Sequence, residues 1–193
     1  MKSTSKKTLA ISGLFILFGA FSRMFTFLPN FSALEALALF GGAYIATRYI
    51  AILIPLAAMF LSDLVINNTI AREWFPNQEG FIIFSDYMVA NAIAIIAIVL
   101  FGSYFLKKVN LLRGILGILG ATAIFWIISN LGVWITGTKF PHNFTGMMGN
   151  FAFALPFLKN SLLGNFAFGA ILFGSYELLT RTYPELAPVK EKV

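Results

Sequence analysis

The chain has 193 residues, 59% of them hydrophobic and only 11% charged, with a mean hydropathy of +0.83, far more apolar than a soluble core of this size requires. Its 14 basic and 8 acidic residues give a net charge of +6; the basic residues fall between apolar segments, which fits membrane orientation and argues against a nucleic-acid partner. With no cysteine and His142 as the single histidine, disulfides, thiolate metal sites and cysteine nucleophiles are excluded, and a protein-only zinc site is disfavoured.

A hydrocarbon layer about 30 Å thick takes roughly 20 apolar residues per helix, so this length predicts one all-α integral membrane domain over 1–193 with about six transmembrane helices. Residues 8–28 follow Lys2, Lys6 and Lys7 in the manner of a signal peptide, but no A-x-A cleavage site follows, and the expectation is a retained first helix. Further spans are expected at 32–47, 50–67, 85–106, 111–136 and 150–180, the last interrupted at Pro156. The second is short for a crossing, so either its boundary is misplaced or neighbours partly bury it; it is kept because the charges then agree. Placing the amino terminus inside puts Lys2, Lys6, Lys7, Arg48, Lys107, Lys108, Arg113, Arg181, Lys190 and Lys192 on the cytoplasmic side. Only Arg23, Arg72, Lys139 and Lys159 then lie toward the outside. The charge asymmetry predicts an N-in/C-in topology with short basic cytoplasmic tails at 1–7 and 182–193.

On that topology the connections RMFTFLPN, NTIAREWFPNQEGFIIF and TGTKFPHNFTGMMGN face outward, and all three carry Pro or Gly, Asn and aromatic residues. The inner connections are short and basic, so recognition is expected on the outer face. Polar residues gather at the same depth: Arg23, Glu35, Asp63, Asp86, Asn91, Asn130, Asn160 and Asn165. An ionisable group in hydrocarbon costs at least about 2.5 kcal/mol, so such groups face a partner or a cavity. The reading is an outward polar pocket. Arg23 and Asn30 contact polar ligand groups and Phe31 lines the wall; Asp63, Asp86, Asn91 and Asn130 form the floor, with Trp134, His142 and Asn143 as a lid. The competing reading pairs Arg23 with Glu35, Asp63 or Asp86 to hold the bundle. Tryptophans 74, 126 and 134 also suit an aromatic belt.

Small residues recur every four positions at Ala38, Gly42 and Ala46, at Ala58 and Ser62, at Gly117 and Ala121, and at Ala170 and Gly174, a spacing that lets helices approach closely. The Ala38/Gly42/Ala46 stripe is the candidate face for docking a partner membrane protein, and a scaffold role through it is the alternative function. No phosphate-loop, H-E-x-x-H or G-x-S-x-G motif is present, so the chain has no nucleotide hydrolysis of its own by that route and no enzyme activity, metal or cofactor is expected. A channel filter and an inverted repeat are likewise absent from the sequence pattern.

The blocks SRMFTFLPNFSALEALALFGGAY, PLAAMFLSDLVI, ISNLGVWITG and ALPFLKNSLLGNFAFGAILFGSYELL, in that order, resemble an uncharacterised bacterial membrane family related to the substrate-binding S components of energy-coupling factor (ECF) transporters. The resemblance runs from residue 20 to residue 181. It implies an S-component-like six-helix bundle in the bacterial cytoplasmic (inner) membrane that binds a vitamin-like small molecule near the outer face. It also implies docking onto a membrane coupling subunit with ATPases, which some relatives dispense with. Cobalamin or a precursor is one ligand the resemblance suggests. The cysteine ligand to cobalt of the cobalamin-uptake group is missing here, so cobalamin would bind through the His142 imidazole or through shape and hydrogen bonds alone, and other vitamins or vitamin precursors stay open.

Overall fold

Runs of Leu, Ile, Ala and Phe without internal turn chemistry close their own backbone hydrogen bonds most simply as helices, the arrangement an apolar medium also demands. The computed structural model describes residues 6–24, 28–75 and 78–183. Among these there is no strand. The elements are α1 (Lys6–Met24), α2 (Leu34–Tyr44), α3 (Arg48–Ile66), α4 (Tyr87–Phe105), α5 (Leu111–Thr136) and α6 (Phe144–Thr182), with a short 3-10 turn at Arg72–Trp74. Four helices, α3 to α6, are long and apolar enough to cross a membrane, and the chain is a helical membrane protein.

The ends of α5 coincide with the expected span, because Asn110 caps it: its side-chain oxygen accepts the Arg113 N–H at 2.9 Å, satisfying one of the orphan donors of the first turn. The last helix differs from expectation. It starts at Phe144 rather than near 150 and runs 39 residues through Pro156 without a break. Asn143 caps it at Gly146 N, 2.9 Å away. The proline removes one backbone donor but leaves long apolar turns on either side to carry the helix on. At about 58 Å, α6 exceeds the hydrocarbon thickness.

Helix α2 is shorter than expected, 11 residues, or about 17 Å. Asn30 at φ 64° makes the corner before it. Ile45 and Thr47, both extended, end it and lead into α3. Every residue from Leu34 to Gly41 is buried, and α2 packs against all five other helices. It is the axis of the bundle. Leu37, Leu39, Ile95, Ile98, Val99 and Leu106 form the core around it, while Leu53, Ile93, Leu119 and Leu163 point outward, the all-round apolarity of helices facing lipid.

Helices α2 and α4 approach closely. A methyl group on Gly42 would sit 2.3 Å from the Val99 carbonyl oxygen, and one on Gly102 2.8 Å from that of Leu39. This corrects the expected partner-docking stripe. Ala38 is 0% exposed, Gly42 is taken up against α4, and Ala46 alone of the three is exposed. The spacing reports close packing, but the packing is internal.

Candidate functional site

Buried polar groups lie where the end of α1 meets α3 and where the α3–α4 connection meets the start of α4. Arg23, in the last turn of α1, reaches α3. Its Nη1 stands 2.7 Å from Asp63 Oδ1 and donates to Ser62 Oγ at 2.6 Å and to the Met59 carbonyl at 3.1 Å. Ser62 passes its own hydroxyl proton to Met59 O at 2.8 Å. The Asp63 side chain is 1% exposed and that of Arg23 17%. At 2.7 Å the Arg23–Asp63 contact is a close ion pair, and the same Nη1 also serves Ser62 and Met59. Among the described residues neither Asp63 oxygen accepts a well-aligned hydrogen bond. A buried carboxylate with unfilled acceptor capacity is unusual, since buried polar atoms normally find a donor.

One turn further along, Asn67 is fully buried. Its amide oxygen accepts the Tyr87 hydroxyl in a short hydrogen bond, and its Nδ2 lies 3.5 Å from the buried Ser85 Oγ. Asn68 holds the incoming strand of the long connection: it accepts from Ile82 N at 2.7 Å and donates to Ile82 O at 2.8 Å. Arg72 gathers the carbonyls of Phe75, Gln78 and Gly80. The α3–α4 connection is thus tied down by side-chain amides and a guanidinium in place of regular structure.

A second polar group lies inside the bundle on α2, α5 and α6. Asn165 donates from Nδ2 to Glu35 in a short hydrogen bond and to Thr122 Oγ1 at 2.8 Å, and its oxygen accepts Ala36 N at 3.1 Å. Glu35 therefore pairs with an amide, and Arg23 with Asp63.

The other expected site residues lie apart. Asn30 is exposed in the α1–α2 corner, while Phe31 turns in against Phe168 at 5.5 Å between ring centroids. Asn160 secures that corner by donating to Pro29 O at 3.0 Å. Asp86 is exposed at the start of α4 without making a side-chain cap, and Asn91 is half-buried one turn on. Asn130 donates to Trp126 O at 2.7 Å, and its own carbonyl accepts Asn150 Nδ2 at 2.9 Å. At the α5–α6 tip Trp134 Nε1 donates to Pro141 O at 3.0 Å and its ring meets His142 edge-on at 5.7 Å. His142 is exposed, 3.0 Å from Gly137 O, and Asn143 serves as the α6 cap. Among the described residues no hydrogen bond or ion pair joins the Arg23–Asp63 pair to the α5–α6 tip. Sequence reasoning did not single out Asn67, Ser85, Tyr87 and Thr122, and read Ser62 only as a small residue for close helix packing. The signal available for them was the polar run at the ends of apolar segments, which does not say which helices meet.

The clefts at this surface are open depressions. The one beside the α3–α4 connection measures about 540 Å³ and is lined by Thr69, Ile70, Arg72, Glu73 and Phe75. No group of three or more His, Cys, Asp or Glu residues among the described residues is placed to hold a metal ion.

The model of DUF6580, a family of unknown function, matches residues 3–186. No curated protein and no solved structure matches the chain. Over nearly its whole length, then, this helical membrane protein belongs to the DUF6580 family.

Proposed function

We propose that the protein is a binding component for uptake of a vitamin-like small molecule, captured at the outer face of the bacterial cytoplasmic membrane and passed inward without covalent chemistry. The observation that carries this reading is the Arg23–Asp63 pair: a buried carboxylate whose Oδ1 is paired with Arg23 and whose Oδ2 has no donor among the described residues. Charges inside a bilayer are retained for pairing or for function, and a ligand N–H or O–H supplies the donor that Asp63 lacks. On this reading Asn30, Asp86, Asn91, Asn130, Trp134, His142 and Asn143 supply the rest of the surface a ligand meets. Without a phosphate loop, any ATP drive comes from a separate coupling subunit with ATPases.

The reading carries six spans with both termini cytoplasmic. Helix α2 is too short to cross alone, but the non-helical residues on either side add up to about 3.3 Å each. Irregular backbone is tolerated at membrane depth where protein surrounds it, as it does α2. Because the chain has no native cysteine, single replacements report sidedness directly. Lys139→Cys in intact cells should react with a membrane-impermeant maleimide and Lys108→Cys only after lysis; the reverse pattern would invert the topology.

Ligand capture is tested on the purified protein by native mass spectrometry and a thermal-shift screen across vitamins and their precursors. One compound class should co-purify or stabilise the fold by about 2.7 kcal/mol at a hundredfold excess over its Kd. A screen in which nothing binds removes the proposal.

A further inference from the structure

Glu35 is the second acid buried in the bundle, and no cation answers it. Its side chain is 4% exposed and Asn165 beside it is 1% exposed. Ion pairs among the described residues join Arg23 to Asp63 and Arg181 to Glu177. The elements packed on α2 offer nothing else at this depth. Helix α1 contributes Arg23, already committed, and at its opposite end Lys6 and Lys7. Helix α3 adds Asp63 and, at its opposite end, Arg48 with Tyr49. Helix α4 has no charged residue, only Tyr87 and Tyr104. Helix α5 carries Arg113 alone, in its first turn. Helix α6 carries an exposed Lys159, then Tyr176, Glu177 and Arg181 near its far end, and α2 itself ends on Tyr44.

The neighbours of Glu35 also limit what can neutralise it. Asn165 Oδ1 is held by the Ala36 N–H, so its NH₂ faces the acid and Thr122. Thr122 directs its hydroxyl proton to Ile118 O at 2.9 Å. Both neighbours therefore turn donors, or an acceptor already in use, toward the site. A metal ion needs several oxygen ligands, and only the carboxylate itself is left to supply them. A proton needs one oxygen. Asn165 occupies Oε2, which leaves Oε1.

We infer that Glu35 is a proton-binding site in the bundle interior, carried as the neutral acid where α2 packs against α5 and α6. An ionised carboxylate in the closed bundle would face a single neutral amide, an arrangement low-dielectric surroundings penalise. Unfolding returns the acid to water and removes the penalty, so protonation and folding are linked.

The test uses the full chain in lipid nanodiscs. Infrared spectra at neutral pH should contain a protonated carboxylic-acid C=O band that Glu35→Gln removes and Asp63→Asn retains. The folded form holds one proton more than the unfolded chain, so the melting temperature should fall as pH rises above the ordinary carboxylate range of about 4 to 5. Glu35→Gln should lose that part of the slope. Absence of the band from the native sequence overturns the inference. So does a melting temperature that rises with sodium chloride over choline chloride at equal ionic strength, which would assign a metal ion. If Glu35→Gln fails to fold, the native sequence decides alone: a pH-sensitive acid band with no sodium effect supports the proton, and its absence refutes it. Neither result depends on whether a vitamin-like ligand is found.

Discussion

Replacing Arg23 by leucine is expected to destabilise the protein by about 3–5 kcal/mol, measured by denaturant titration in mixed micelles. Asp63 has no exposed surface, and its oxygens have no directed hydrogen bond among the described residues. Removing the guanidinium leaves a bare charge in the bundle. Asp63→Leu in the same background removes that charge, and the double variant should recover most of the loss, because a packed apolar pair of similar volume matches a buried ion pair. The pair of experiments separates two roles. A stable double variant that no longer binds any small molecule assigns the pair to the ligand. If it binds as the native protein does, the pair is structural. A loss below about 1 kcal/mol for Arg23→Leu would mean that water already reaches the pair, as at exposed ion pairs.

Gly42→Val should be at least as damaging, about 3 kcal/mol or more, and is expected to prevent folding in a bilayer. The first added carbon would lie 2.3 Å from Val99 O and 3.0 Å from Ser103 N. Both are backbone atoms, so no rotamer change relieves the contact; α2 and α4 would have to separate. Between helices in lipid there is no hydrophobic force to offset lost packing, so the separation would propagate to the α5 and α6 surfaces that α2 also covers. Gly174→Ala is the control. Nothing lies within 4 Å of its added methyl, and the change should stay within about 0.5 kcal/mol of the native protein. A Gly42→Val protein with native stability would show that the α2–α4 approach does not limit folding.

The helical positions were largely legible in the chain, because a span of α3, α4 or α5 is specified by local features: an uninterrupted apolar run and a polar residue such as Asn110 at its edge. The site was legible only as an inventory. Arg23, Glu35 and Asp63 stand out as charges in oily surroundings, but their partners lie 40 residues away for Arg23–Asp63 and 130 for Glu35–Asn165, and hydropathy carries no information about which helix faces which. The small-residue stripe shows the same limit. Its spacing predicted close helix contact at Ala38 and Gly42, and only the arrangement of α4 around α2 made that contact internal.

By itself, the sequence determined the medium, the helical class and the approximate ends of the long helices, since apolar length and backbone self-satisfaction are properties of each segment alone. The tertiary structure decided that a short α2 becomes the axis and that Pro156 is carried within one long helix. It also decided that the three buried charges divide into an ion pair and a lone acid. Each of these depends on what packs alongside: neighbours supply the burial that lets an 11-residue helix stand at the centre of the bundle, and the position of a cation or an amide across a helix interface determines how each buried acid is compensated.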